Sequence, residues 1–274
     1  MKYLLIFCGL ISYLNLHSQH RQRIIDEKYS SNQVKKISIS SDETNYIING
    51  HSDTSIVVSI TAIANSPKKM DELKKNYKIV SQIENGTLRI ETFAGDAKGS
   101  FLVEIRLPAS IPLDISTQSS HVMIQNTQND IHLTHHSQPI ELKDVRGGKI
   151  NINSKNGEVT IKNSAGDFQV NTNKTIDAEI LDGQLTCISG GHQNILLGKP
   201  IPTMCNTQNG NIKIKVPSNA PFDCRMVADT HIKLDLNNIV FEGSINPKSI
   251  TGKIHQGSIP LKLVANKGGI WLSN

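Results

Sequence analysis

Four histidines crowd one short stretch, His121, His132, His135 and His136, and imidazoles are the commonest ligands of a transition metal. Neighbouring residues of a strand face opposite ways, so His135 and His136 could share an ion only at a corner of the chain. A corner is expected just before Pro139, yet solvated turn and outer-face histidines account for the group as well, and no metal is assigned. Asp130, Asp144, Asp167, Asp177 and Asp182 are the carboxylates that could hold calcium. They stand singly, without the Gly-Gly-x-Gly-x-Asp nonapeptide of calcium-binding repeats, and no calcium is assigned either. Glu141 and Glu158 are 17 residues apart and read as surface decoration. A glycosidase needs two carboxylates on one cleft, and a lyase needs metal-binding acids beside a proton-abstracting base. Neither set assembles at stacked positions, and no Gly-x-Ser-x-Gly elbow or Cys–His pair stands out. The sequence therefore assigns no catalytic, cofactor-binding or metal-binding residue. Of the cysteines, Cys187 follows Leu185 by two residues and Cys224 follows Phe222 by two, which turns both inward as small hydrophobes. Cys205 falls one residue out of that phase, and whether any pair forms a disulfide stays open.

What must position such residues is a repeat. Leu113, Ile131, Ile150, Phe168, Leu185, Met204 and Phe222 follow one another at intervals of 18, 19, 18, 17, 19 and 18. Val122, Ile140, Val159, Ile176, Ile195, Ile212 and Ile232 form a second series at 18, 19, 17, 19, 17 and 20. Each repeat thus carries two short strands, and a unit so small buries its apolar face only by stacking on its neighbours. Alternation of period two sends aliphatic residues to one face and Asn, Gln, Ser, Thr and Lys to the other. Gly147-Gly148, Asn156-Gly157, Asp182-Gly183 and Asn209-Gly210 mark the reversals. A sandwich would not keep one period for so many cycles. The expected fold is all-β, a right-handed parallel β-helix or β-solenoid with two short strands per coil of about 18 residues, and seven coils would span roughly 30 Å.

The expected organisation is a signal peptide at 1–18, a polar leader at 19–33, an N-terminal β capping region at 34–110, and solenoid repeats at 111–274 with an insertion at 237–250. The capping region contains a short helix after Pro67 and hairpin-type turns at Asn49-Gly50 and Asn85-Gly86. After the insertion, Leu261/Leu263 and Ile270/Leu272 resume the rhythm and are expected to close the far end or add a last coil. Lys2, the apolar run from Tyr3 to Leu16 and the small Ser18 form the export signal. No later segment is apolar enough for a membrane helix. The charge of +5 is spread over paired lysines rather than a basic block, and aromatics are 4% with Trp271 the single tryptophan, which argues against nucleic acid as a partner.

The strand ending in Arg106-Leu107-Pro108, the strand pairs punctuated by Asn-Gly and Gly-Asp, the segment Ile150 to Ile161 and the closing run Gly252-Lys253-Ile254 to Gly268-Gly269-Ile270 resemble the bacterial putative-adhesin family of β-strand-repeat proteins. The resemblance covers about residues 34–274 and departs from the pattern at Pro200-Ile201-Pro202 and after Leu236. It implies a β-helix-like envelope protein and carries no catalytic set. The expected function is a non-enzymatic, adhesin-like protein that is exported to the periplasm, cell surface or medium. Its polar ladders would meet a surface glycan or an envelope protein, with oligomeric state open. The alternatives are a carbohydrate-active β-helix enzyme, lyase or glycosidase, and a purely structural envelope scaffold.

Overall fold

The computed structural model describes residues 20–42, 44–76, 78–93, 100–237 and 240–274. The expected signal peptide lies outside them. In chain order the strands are β1 (His20–Ser30), β2 (Lys36–Ser41), β3 (Thr44–His51), β4 (Ser55–Ala64), β5 (Lys78–Glu84), β6 (Thr87–Phe93), β7 (Ser100–Pro108), β8 (Leu113–Ser119), β9 (Val122–Gln125), β10 (Ile131–Ser137), β11 (Ile140–Lys143) and β12 (Arg146–Asn156). They continue as β13 (Val159–Thr172), β14 (Ile176–Ser189), β15 (Gln193–Leu197), β16 (Thr203–Thr207), β17 (Ile212–Lys215), β18 (Phe222–Ala228), β19 (Ile232–Asp235), β20 (Phe241–Asn246), β21 (Ser249–Ile254), β22 (Ile259–Ala265) and β23 (Ile270–Ser273). One helix, α1 (Pro67–Asn76), lies between β4 and β5 and packs on β4 through the buried Met70 and Leu73. The protein is all-β, with these strands joined in one long sheet.

Most of the pairing is parallel and in register. In a first ladder Leu113, Ile131, Ile150, Phe168 and Leu185 lie one upon the next. In a second, Val122, Ile140, Val159 and Ile176 do the same. The long strands β13 and β14 serve both ladders, their first halves in the second and their later halves in the first. The aliphatic residues named in both ladders are buried, and with the inward residues of the neighbouring strands they form a continuous apolar interior along the stack.

The ends depart from the sequence reading, and in the same way. At the start, β2 and β3 are not a cap but members of the ladders, with Ile37 against Leu113 and Tyr46 against Val122. On their other side they pair in parallel with β6 and β7, which come later in the chain. At the far end the last segment closes nothing. Strands β22 and β23 slip between β16/β17 and β18/β19, so that Leu261 lies between Thr203 and Cys224, and Ile270 between Ile212 and Ile232. In both cases the outermost pair of ladder strands comes from the middle of the chain, and a segment nearer the terminus is threaded beneath it.

Antiparallel strands cover three of the four outermost ladder strands. Strand β5 lies on β6, β4 on β7 and β1 on β4, while the β20–β21 hairpin lies on β18. The residues expected as a polar leader thus supply β1, whose Ile24, Ile25 and Tyr29 pack on the core. The expected insertion supplies the hairpin. An uncovered parallel edge would template further pairing, and antiparallel covers remove it on β6, β7 and β18, while β19 pairs with β23 alone.

Two glycines show how closely the chain stacks. Gly50 makes no hairpin turn; it lies within β3, where a Cβ would come 2.1 Å from the Asn126 carbonyl oxygen. Gly183 has φ +105°, and a Cβ there would lie 2.0 Å from the Gly166 oxygen of the strand beneath. Asn85-Gly86, by contrast, is the hairpin turn its sequence suggests, with φ of 50° and 78° between β5 and β6.

Candidate functional site

Each strand of the second ladder turns two side chains outward, and in-register stacking arranges these as two columns. One runs Asp177, Asn194, Lys213, Trp271, Lys233 across β14, β15, β17, β23 and β19. The other runs Glu179, Leu196, Lys215, Ser273, Asp235 across the same strands. Both line an open trough of about 890 Å³. The threading of β23 between β17 and β19 is what places Trp271 here, one strand spacing (about 4.8 Å) from Lys213 on one side and from Lys233 on the other.

The trough is electrostatically divided. Thr160 and Lys162 of β13 line one end; next to them stand Asp177 and Glu179, both engaged: Asn194 Nδ2 donates to Asp177 Oδ1 at 2.6 Å, and the Asn163 backbone N–H to Glu179 Oε2 at 3.3 Å. Asn194 and the 40% exposed Leu196 form a neutral middle. Beyond them stand Lys213, Lys215 and Lys233, and among the described residues none of the three forms an ion pair. Asp235 sits at the rim on the same strand as Lys233. The indole is half-buried and meets the His231 ring edge-on, with centroids 4.8 Å apart at 89°.

The residues singled out from sequence go elsewhere. His121 reaches Glu141 on the outer face, Nε2 to Oε1 at 3.1 Å, while His132 and His136 are exposed. His135 is not a solvated turn histidine. It is buried at the third inward position of β10, its Nε2 2.7 Å from the Ser120 carbonyl and its Nδ1 3.3 Å from Ser154 Oγ. Burial pushes its pKa below the ordinary 6.5. Among the described residues no three His, Cys, Asp or Glu side chains gather as a metal-binding group. The aspartates hold corners instead: Asp130 accepts the Lys149 N–H at 2.7 Å, Asp144 accepts from Asn163, and Asp182 accepts from Lys199 at 2.7 Å and the Gly183 N–H at 2.9 Å. Those contacts, Lys199 first, draw the Asp182 carboxyl below its usual range. Glu158 is exposed and belongs to no such group.

Sequence reasoning missed a second polar feature. His135 belongs to an inward row that stacks Thr92, Ser41, Thr117, His135, Ser154, Thr172, Ser189 and Thr207. All are buried, and the row runs along the corner between the ladders. Its side chains bind corner backbone: Ser154 Oγ accepts the Gly157 N–H at 2.9 Å, and Thr172 Oγ1 donates to the Gly157 carbonyl at 2.6 Å. Thr117, His135, Ser154, Thr172 and Ser189 each lie four residues beyond a first-series position, a spacing visible in the sequence once inward positions are counted in twos.

No family model and no curated protein matches the sequence. Among solved structures, one named a putative adhesin from Parabacteroides distasonis is similar at a TM-score of 0.46 and 13% identity, covering 90% of this chain and 96% of that one. Another named a putative adhesin, from Bacteroides fragilis, is similar at 0.41 and 15%, covering 91% and 96%. Adhesin-named proteins are its structural neighbours. A third neighbour, named a putative lipid binding protein from Parabacteroides distasonis, has a TM-score of 0.40 and 11% identity over 93% of this chain and 97% of that one.

Proposed function

We propose that the chain is an exported, non-enzymatic envelope protein, a β-solenoid that binds a surface polymer along the outer face of its second ladder. Right-handed winding is part of the proposal, since connections between parallel strands of one sheet are right-handed in nearly all cases. The observation that carries the reading is the trough itself: regularly spaced amine, amide, hydroxyl and carboxylate groups beside a single indole, on a rigid stack. A trough of fixed width and repeating spacing suits a repeating ligand better than a compact one. The backbone groups of β15, β17 and β23 are already paired on both sides within the ladder, so along the trough, short of the outer edge of β19, recognition has to come from side chains. A glycan is the polymer such side chains fit.

The test is binding to whole cells and isolated envelope glycans by purified protein, alongside protease shaving of intact cells that make it. Surface cleavage together with saturable binding is expected. Full protection from protease combined with no glycan binding would overturn the adhesive reading and leave the structural scaffold.

The enzymatic alternative has one observation in its favour, because the trough does gather acids and lysines. Asp235 stands four strand spacings from Glu179, about 19 Å, and farther from Asp177, beyond the roughly 5–9.5 Å that separates glycosidase carboxylates. Asp177 and Glu179, two residues apart on one strand face, are the pair left to serve. Release of reducing ends from a bound glycan, abolished by Asp177→Asn, would establish the enzymatic reading in place of the adhesive one.

A further inference from the structure

Resting on the glycan-binding reading, we infer that the Trp271 end of the trough is a subsite for acidic sugars, in which a ring stacks on the indole and its carboxylate meets Lys213, Lys215 and Lys233. Charge complementarity carries this step. Asp177 and Glu179, beyond the neutral middle, are satisfied by Asn194 and Asn163, whereas the three ammonium groups around Trp271 form no ion pair within the described protein. Lys213 and Lys233 flank the indole at equal spacing, one strand to either side, and Lys215 stands two residues from Lys213 on the same face. A neutral sugar would use the indole and leave three ammonium groups without counter-charge. An anionic sugar uses both. The edge-on contact with His231 braces the indole, and an aromatic fixed in place costs little entropy to stack upon. Asp235, the one carboxylate at this end, opposes the ligand and sets a limit on its affinity.

Trp271 is the single tryptophan of the chain, so its fluorescence reports this subsite alone. The experiment titrates the exported chain with an oligogalacturonate and, separately, with the fully methyl-esterified form of the same oligomer, whose carboxylates are masked. The acid is expected to shift Trp271 emission saturably and to bind at least about tenfold more tightly than the ester, as loss of charge-assisted hydrogen bonds implies. Raising the salt concentration should narrow that gap. Lys213→Gln with Lys233→Gln should remove most of the preference, and Asp235→Asn should increase it; all three positions face outward, and the acid–ester comparison on the unaltered chain stands without them. Equal binding of acid and ester at Trp271 would overturn the acidic preference while glycan binding stood. Binding detected by sedimentation without any change at Trp271 would overturn the subsite while leaving glycan binding elsewhere on the molecule. Failure of both oligomers to bind would also overturn the inference, and the cell-binding experiment above would then decide the wider reading.

Discussion

At the scale of single residues, the inward polar row makes the sharpest demands. Thr172 Oγ1 donates to the Gly157 carbonyl inside the stack, so Thr172→Val keeps shape and leaves a buried acceptor short of a partner. A loss of about 1–2 kcal/mol in denaturant unfolding is expected. His135 adds a pH dependence with a definite sign. Its folded-state pKa lies below the ordinary 6.5, chiefly through desolvation, so the unfolded chain takes up a proton that the folded chain resists. This contribution is neutral above about pH 6.5, costs stability as the pH falls below it, and levels off beneath the folded value. His135→Thr, which extends the hydroxyl row, is expected to flatten the decline between neutral pH and pH 5 relative to the parent; unchanged slopes would contradict it. The cysteines behave as core. Cys187 and Cys205 are register neighbours and Cys224 is buried, its thiol pushed up to about 12 by burial and by Asp223. Alkylation should reach none of the three until denaturant is added. Cys187 and Cys224 were legible as inward. Cys205 was not, because Met204 occupies the periodic position in the sequence, whereas the strand after Pro202 enters one residue earlier and turns Thr203, Cys205 and Thr207 inward with Met204 47% exposed.

At the scale of elements, periodicity exposed the strands but not their order. A stack of parallel strands with interchangeable aliphatic residues is degenerate: Leu261 fits between Thr203 and Cys224 by the same chemistry that would seat it beyond them. Nothing local in the sequence distinguishes the two, which is why the sequence suggests a last segment that closes the far end or adds a last coil. The threaded ends have a mechanical consequence. Removing Ile259–Asn274 should strip β18 and β19 of their parallel partners rather than trim a frayed tip. Hydrogen exchange of the truncated chain is expected to lose protection across residues 222–254 while β8 to β14 stay protected; retained protection there would contradict the threading. Turn chemistry was legible where a real hairpin exists, as at Asn85-Gly86. It misled at Gly50, where the missing side chain serves close stacking on Asn126 instead.

At the scale of the whole molecule, the chain builds a stack of two ladders with antiparallel strands on three of its four outermost ladder strands, and one outer face carries a trough with a lysine cluster at its Trp271 end. The trough was not legible because β23 reaches it with each residue 58 positions beyond its partner in β17, so Trp271 and the lysines beside it come together only after threading. The central claim is that order of stacking. Spin labels at outward positions of the first ladder test it directly, since Cys187, Cys205 and Cys224, the cysteines among the described residues, are buried and do not compete for label. From His132, stacking places Met204 four strand spacings away, Lys262 five and Arg225 six, or about 19, 24 and 29 Å. Measured separations should rise in the order Met204, Lys262, Arg225, with the residue latest in sequence in the middle. A separation to Lys262 longer than that to Arg225, or distances that fail to rise in even steps, would contradict the account.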